Sequence, residues 1–287
     1  EGQTLTNSIV TLAEGKIDIS AMPIVLTFLL DKGRGPLAKH GEKGAEMAAN
    51  LRALYPYNAG GFGLFALDSE NIKSWDDIKG RTVFNGPPRG AALVNARQAI
   101  TLASGLKEGD DYNGRQANWG QLANILVDGS VDAFVIPLTF PSARVTTAQS
   151  AGDVTIVSTP KAVFESENYQ KIFNAPGNIP LQVKWEDMGY GDGVKMISED
   201  GIFRGLGTAF VELVTKDMSF ELAKAITATH IKTLDQLKAK SPFAPNIGLA
   251  QMDPKLAGLC GASSLKYHEG AIAAWEEAGY TIPDCLK

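Results

Sequence analysis

Apolar positions recur along this chain with two periods, one helical and one strand-like, and the alternation between them predicts its elements. Leu5, Ile9, Leu12 and Ala13 fall on one helical face, so the chain opens on a helix. Ile24 to Leu30 begins another helix, and Asp31 to Gly44, polar and Gly-rich, reads as a surface loop. Asn50 to Tyr57 reads as a short strand with Leu51, Ala53 and Tyr55 on one face. Phe62 to Leu67 reads as a second strand, closed by a turn at Asp68 to Asn71. Ser74 stands as the N-cap of a helix start at Trp75-Asp76-Asp77. Arg81 to Phe84 is a short strand, Asn85 to Arg89 a Gly/Pro turn, and a helix opens near Gly90. Leu93, Ala96, Ile100 and Ala103 give that helix its core-facing stripe. Leu122, Ile125 and Leu126 face inward on a later helix, Val145 belongs to one starting near Pro141, and Val154 to Val157 is a compact strand. Asn174 to Gly193 reads as a long excursion. Val194 to Ile197 and Ile202–Phe203 return to strand character. Phe210 to Val214 and Phe220 to Leu237 read as helical, Ser241 to Met252 as a loop, and Ser264 to Gly279 as a closing helix with Ala271, Ile272 and Trp275 on its apolar face.

Two stretches repeat one another. In Leu12-Ala-Glu-Gly15-Lys-Ile17-Asp18 and Leu126-Val-Asp-Gly129-Ser-Val131-Asp132 a helix ends, Gly takes the left-handed position, and a strand follows that stops at Pro23 or Pro137. Two such units predict an α/β chain of two similar lobes. Residues 1–79 with 195–287 form lobe I and 80–194 form lobe II, joined by a hinge of two connections. Ligands of open α/β sheets collect at the carboxyl ends of strands. That places Met22, Thr139 and Phe140 beside the Asn85–Arg89 turn in an expected cleft between the lobes. Tyr55 and Tyr57, flanking Pro56, are either aromatic walls of a ligand site or core rim.

The turn itself carries the candidate chemistry. A helix start leaves backbone N–H groups without partners and bears about half a unit of positive charge. Asn85, Gly86, Pro88, Gly90 and Ala91 would let a ligand approach those groups closely, and Arg89 adds a planar fork suited to a carboxylate. The alternative is an ordinary strand–turn–helix link with a solvated Arg89. No nucleophile elbow, Ser/His/Asp set or metal-ligand spacing stands out, so no catalytic residue, metal or cofactor is expected. Gly205-x-Gly207, set in apparent helix, is no dinucleotide fingerprint. Acid pairs such as Asp110–Asp111 and Glu276–Glu277 read as solvated faces.

Length changes the picture in one respect: 287 residues suffice for two cores. A net charge of −5 argues against a nucleic-acid partner. The most apolar stretch, Ile19 to Leu30, is too short for a membrane span and contains Pro23. A helix-first opening is unusual for an α/β lobe, and Glu1 is not an initiator Met, so the expectation is that upstream residues have been cleaved, cut or omitted. Cys260 and Cys285 are either a disulfide clipping the last helix, which would place the protein outside the cytoplasm, or two free thiols.

The run from Ile72 to Ala91, IKSWDDIKGRTVFNGPPRGA, resembles a segment of the TAXI-type solute receptors of TRAP transporters. Leu54-Tyr-Pro56, Leu126 to Phe134 and the closing His268 to Gly279 are similar to further motifs of that family, in the same order. The resemblance implies a monomeric, extracytoplasmic binding protein of two α/β domains, with a two-lobed periplasmic-binding-protein-like fold (type II), that hands a small carboxylate or amino acid to membrane permease subunits. It also implies a missing N-terminal segment, the first βα unit after a signal peptide. Where the family has small hydroxyl-bearing residues after the Gly turn, this chain has Pro88-Arg89-Gly90-Ala91.

Overall fold

The computed structural model describes residues 5–287. The architecture is mixed α/β, as the hydrophobic pattern predicts, and it divides into two compact units. Unit 1 holds the described residues up to Asn58, with Phe173–Ile179 and Thr208–Lys287. Unit 2 holds Ala59–Ile172 and Pro180–Gly207. The boundaries expected from the sequence, at 79/80 and 194/195, both fall inside unit 2.

In unit 1, β1 (Ser20–Pro23) runs antiparallel to the later half of β9 (Ile202–Thr215), pairing Ala21 with Glu212 and Met22 with Val211. The first half of β2 (Leu51–Leu67) pairs in parallel with β10 (Lys266–Tyr267). Met22, Leu54, Val211 and Leu213 are fully buried in one core with Ile9, Leu12 and Trp275. The helices Phe220–Lys232 and Glu269–Glu277 pack tightly on one another. The reason is local: a Cβ on Gly270 would come within 2.3 Å of the Phe220 carbonyl oxygen, so only Gly permits this approach. His268 caps the second helix, its Nδ1 accepting from the Gly270 N–H at 3.1 Å while Nε2 lies 3.0 Å from the Met218 carbonyl. Cys260 and Cys285 form a disulfide with their Cα atoms 5.7 Å apart, tying the C-terminal tail back to the segment before the last helix.

In unit 2 the second half of β2 is central. It pairs antiparallel with β5 (Ala133–Leu138) and with β6 (Val154–Val157). β5 continues in parallel to β3 (Thr82–Phe84), which pairs with β4 (Asn113–Arg115), and β6 pairs in parallel with β8 (Val194–Ile197). Phe65, Phe84, Phe134, Phe140 and Phe203 fill its core.

Several expectations need correction. The two strands read at Asn50–Tyr57 and Phe62–Leu67 are one strand, β2, which runs on through Asn58-Ala-Gly-Gly with Gly60 at φ 85. Residues 31–44 are not a plain loop: they hold a 3-10 helix, Gly35–His40, and the start of a helix, Gly41–Ala49, whose Met47 and Ala48 are buried. The excursion 174–193 contains β7 (Asn178–Lys184). Phe210 to Val214 is strand, not helix, and Gly205 and Gly207 lie in that strand. The paired glycines are both left-handed, Gly15 at φ 69 and Gly129 at φ 68, but only Gly15 closes its helix, which ends at Ala13; the helix before Gly129 ends at Ile125, and the strands start later, at Ser20 and Ala133. Pro23 does end β1, but Pro137 sits inside β5, opposite Phe62.

Candidate functional site

The strand–turn–helix junction of unit 2 forms as the residue pattern predicts. β3 ends at Phe84, the turn follows, and the Ala91–Ser104 helix begins after Gly90. Gly86 and Gly90 both have φ 105, which lets the chain double back ahead of the helix. No side chain caps the helix N-terminus. Its Leu93, Ala96, Ala99 and Ile100 are buried and anchor it against unit 2.

Individual candidates divide by environment. Pro88, Arg89 and Gly90 are exposed, and Ala91 is half-buried. Among the described residues no ion pair or hydrogen bond engages the Arg89 side chain. Asn85 is fully buried and committed elsewhere: its amide N donates to Glu108 Oε2 at 2.6 Å and its Oδ1 accepts from Gln116 Nε2 at 2.8 Å. Asn85 therefore fixes the base of the turn and offers nothing outward. Glu108 also accepts two hydrogen bonds from Arg97, at 2.8 and 2.6 Å, and Arg97 first, with Asn85 and Gln116, holds its carboxyl below the usual carboxylate range. Gly86 is buried, and its carbonyl accepts from the Ala117 N–H at 3.1 Å. Thr139 is half-buried, whereas Phe140 is in the core, its ring 4.7 Å from that of Phe203. In unit 1, Met22 is fully buried in the core, and Tyr55 and Tyr57 are half-buried.

Two residues beside the junction were not singled out by pattern. Trp119 is 38% exposed, and its ring edge lies where a Cβ on Gly86 would be 3.7 Å away. The Arg144 guanidinium sits 4.6 Å from the centre of that ring. Arg144 enters from the Ala143–Gln149 helix, whose N-cap Ser142 hydroxyl accepts from the Arg144 N–H at 3.3 Å, and its Nη1 donates to the Pro137 carbonyl. Burial pushes the Arg144 guanidinium below its ordinary range, yet it stays charged. Among the described residues no carboxylate pairs with it. The junction thus collects an uncapped helix start, an exposed arginine, and a half-buried arginine held under an indole. Such a set of donors and positive charge suits an anion and contains no nucleophile with an adjacent base. The signal in the sequence was Pro141-Ser142 as a helix start, which places Arg144 on the first turn.

In unit 1, Tyr55 stacks on His230 with ring centres 3.8 Å apart and planes within 2°. Tyr57 lies 5.8 Å from Phe210. Burial, with Glu212 nearby, pushes the Tyr55 hydroxyl up to about 12 and raises that of Tyr57 as well. Among the described residues no cluster of three or more His, Cys, Asp or Glu could hold a metal, and no helix is long and apolar enough to cross a membrane.

The profile of the NMT1-like family matches residues 9–279. The chain belongs to the NMT1-like family. No curated protein matches it. Solved structures to which this NMT1-like chain is similar include a TRAP periplasmic solute-binding protein from Ralstonia eutropha H16 with bound (S)-2-acetolactate, at 15% identity, covering 97% of this chain and 71% of that one, with a TM-score of 0.39. A TRAP periplasmic solute-binding protein from Sulfitobacter sp. NAS-14.1 with bound β-D-galacturonate is 11% identical over 96% of this chain and 79% of its own, with a TM-score of 0.44. A protein from Bordetella bronchiseptica RB50 is 14% identical over 96% and 85%, with a TM-score of 0.48.

Proposed function

We propose that this chain is the extracytoplasmic solute receptor of a TRAP-type transporter, of the TAXI kind, and a binder rather than an enzyme. It captures a small carboxylate or amino acid and delivers it to membrane permease subunits. The sequence motifs at Leu54–Pro56, Ile72–Ala91, Leu126–Phe134 and His268–Gly279 support the family reading. The observation that carries the binding role is Arg144. It is a half-buried cation with a carbonyl and an indole for neighbours and no acidic partner, beside an uncapped helix start. An incoming carboxylate supplies the missing counter-charge. The Gly86–Ala91 backbone forms the rim, with Arg89 as an outer, solvated contact.

A charged hydrogen bond contributes about 1.5–3 kcal/mol, which corresponds to roughly tenfold to over a hundredfold in affinity. The test begins with native mass spectrometry of the purified protein to identify a retained solute, followed by calorimetric titration of that solute into stripped protein. Arg144→Gln keeps a donor for the Pro137 carbonyl but removes the charge, and weakens binding at least tenfold. Arg89→Ala weakens it only a few-fold. Undiminished affinity in Arg144→Gln would falsify the anchor assignment.

A further inference from the structure

Unit 1 carries a second charged group that neither its core nor its ion pairs explain. In β9, Phe210 and Glu212 lie on one face of the strand, and Val211 and Leu213 lie on the other, fully buried in the core. In β2, Tyr55 and Tyr57 likewise share one face. The Tyr57–Phe210 contact shows that these two faces are the same face of the sheet. Across β1, the residue opposite Glu212 is Ala21, whose small side chain offers the carboxylate no donor. All five side chains are half-buried, in contrast to Met22, Leu54 and Val211 behind them.

Glu212 has no donor. Among the described residues no hydrogen bond or ion pair reaches its carboxylate, and burial alone raises it above the usual carboxylate range. Its charge is felt by both tyrosines. Tyr55 is braced by its stack on His230. A half-buried carboxylate without a donor is costly unless a cation completes it. A carboxylate on the same sheet face as three aromatic side chains offers an ammonium group an ion pair with charge-assisted hydrogen bonds, and ring quadrupoles nearby.

We infer that Glu212, with Tyr55, Tyr57 and Phe210, forms a subsite within unit 1 for a protonated amine. The inference rests on the solute-receptor reading and adds to it an amino group as a feature the protein recognises. It makes Glu212 a binding residue beside the aromatic walls.

The test is a thermal-shift and calorimetric comparison on the full chain. The common L-amino acids are each set beside the deaminated acid of the same skeleton, such as L-glutamate beside glutarate and L-phenylalanine beside 3-phenylpropanoate. At least one amino acid binds tenfold or more tightly than its deaminated partner, and Glu212→Gln, near-isosteric and checked for folding by circular dichroism, erases that ratio. Deaminated acids that bind as well as the amino acids, or a preference that survives in Glu212→Gln, overturn the amine subsite and leave the solute-receptor reading standing. Stabilisation by neither class overturns both.

Discussion

Glu108 offers a direct test of how the turn at Asn85 is held. Its carboxylate accepts from Arg97 twice, from Asn85 at 2.6 Å and from Gln116 at 3.1 Å. Two effects are lost in Glu108→Ala, and they differ in size. The Arg97 pair is partly exposed, with 46% of the Arg97 side chain accessible, so its guanidinium can turn to water; such pairs contribute about 0–1 kcal/mol. Asn85 is fully buried, so its amide N–H is stranded. An unsatisfied buried donor costs about 1–3 kcal/mol. The sum for Glu108→Ala is therefore about 1–4 kcal/mol, and that for Arg97→Ala about 1 kcal/mol or less. Scanning calorimetry reads this as a fall in Tm of roughly 2–16 °C for Glu108→Ala and at most a few degrees for Arg97→Ala. The Glu108 carboxyl is held below its ordinary range, so its contribution is complete above the unfolded value and is lost as pH falls through the folded one. Equal destabilisation by the two variants refutes the reasoning, because it would mean that the ion pair, and not the buried amide, holds the turn.

Two further predictions concern unit 1. The disulfide closes a loop of 25 residues, which on the chain-entropy model stabilises by roughly 3 kcal/mol; the Cys260→Ser/Cys285→Ser pair loses that in denaturant titration, and reductant lowers the wild-type midpoint but leaves the variant unchanged. His230 is pushed below its ordinary range by burial, against the opposing hydrogen bond of its Nε2 to the Leu249 carbonyl at 2.6 Å. The fold therefore favours the neutral ring: stability is full above about 6.5, the unfolded value, and declines as pH falls below it. His230→Phe, which keeps a ring against Tyr55, flattens the fall in Tm between about pH 8 and about pH 5; an unchanged slope would count against His230 as its source.

Much of the candidate site was legible in sequence. Gly86 and Gly90, the small residues after them and the apolar stripe at Leu93, Ala96 and Ile100 marked a strand–turn–helix junction, because each depends on local geometry. Arg144 escaped notice because its significance lies in what surrounds it. Only folding sets its guanidinium over Trp119 and denies it a carboxylate. Glu212 was hidden more deeply, since Phe210 to Val214 reads as helix from its pattern; the pairing of Ala21 with Glu212 makes it strand and gives the carboxylate its face.

Local pattern in the chain was enough for an α/β class, the left-handed glycines Gly15 and Gly129, and the junction at Gly86–Ala91, because period and left-handed backbone are properties of a few neighbouring residues. The tertiary structure alone decided the extents of β2 and β9, the commitment of Asn85 to Glu108, the burial of Met22 and Phe140, and the unpaired state of Arg144 and Glu212. Those depend on contacts between residues far apart in the chain, and burial and charge pairing exist only once such contacts form.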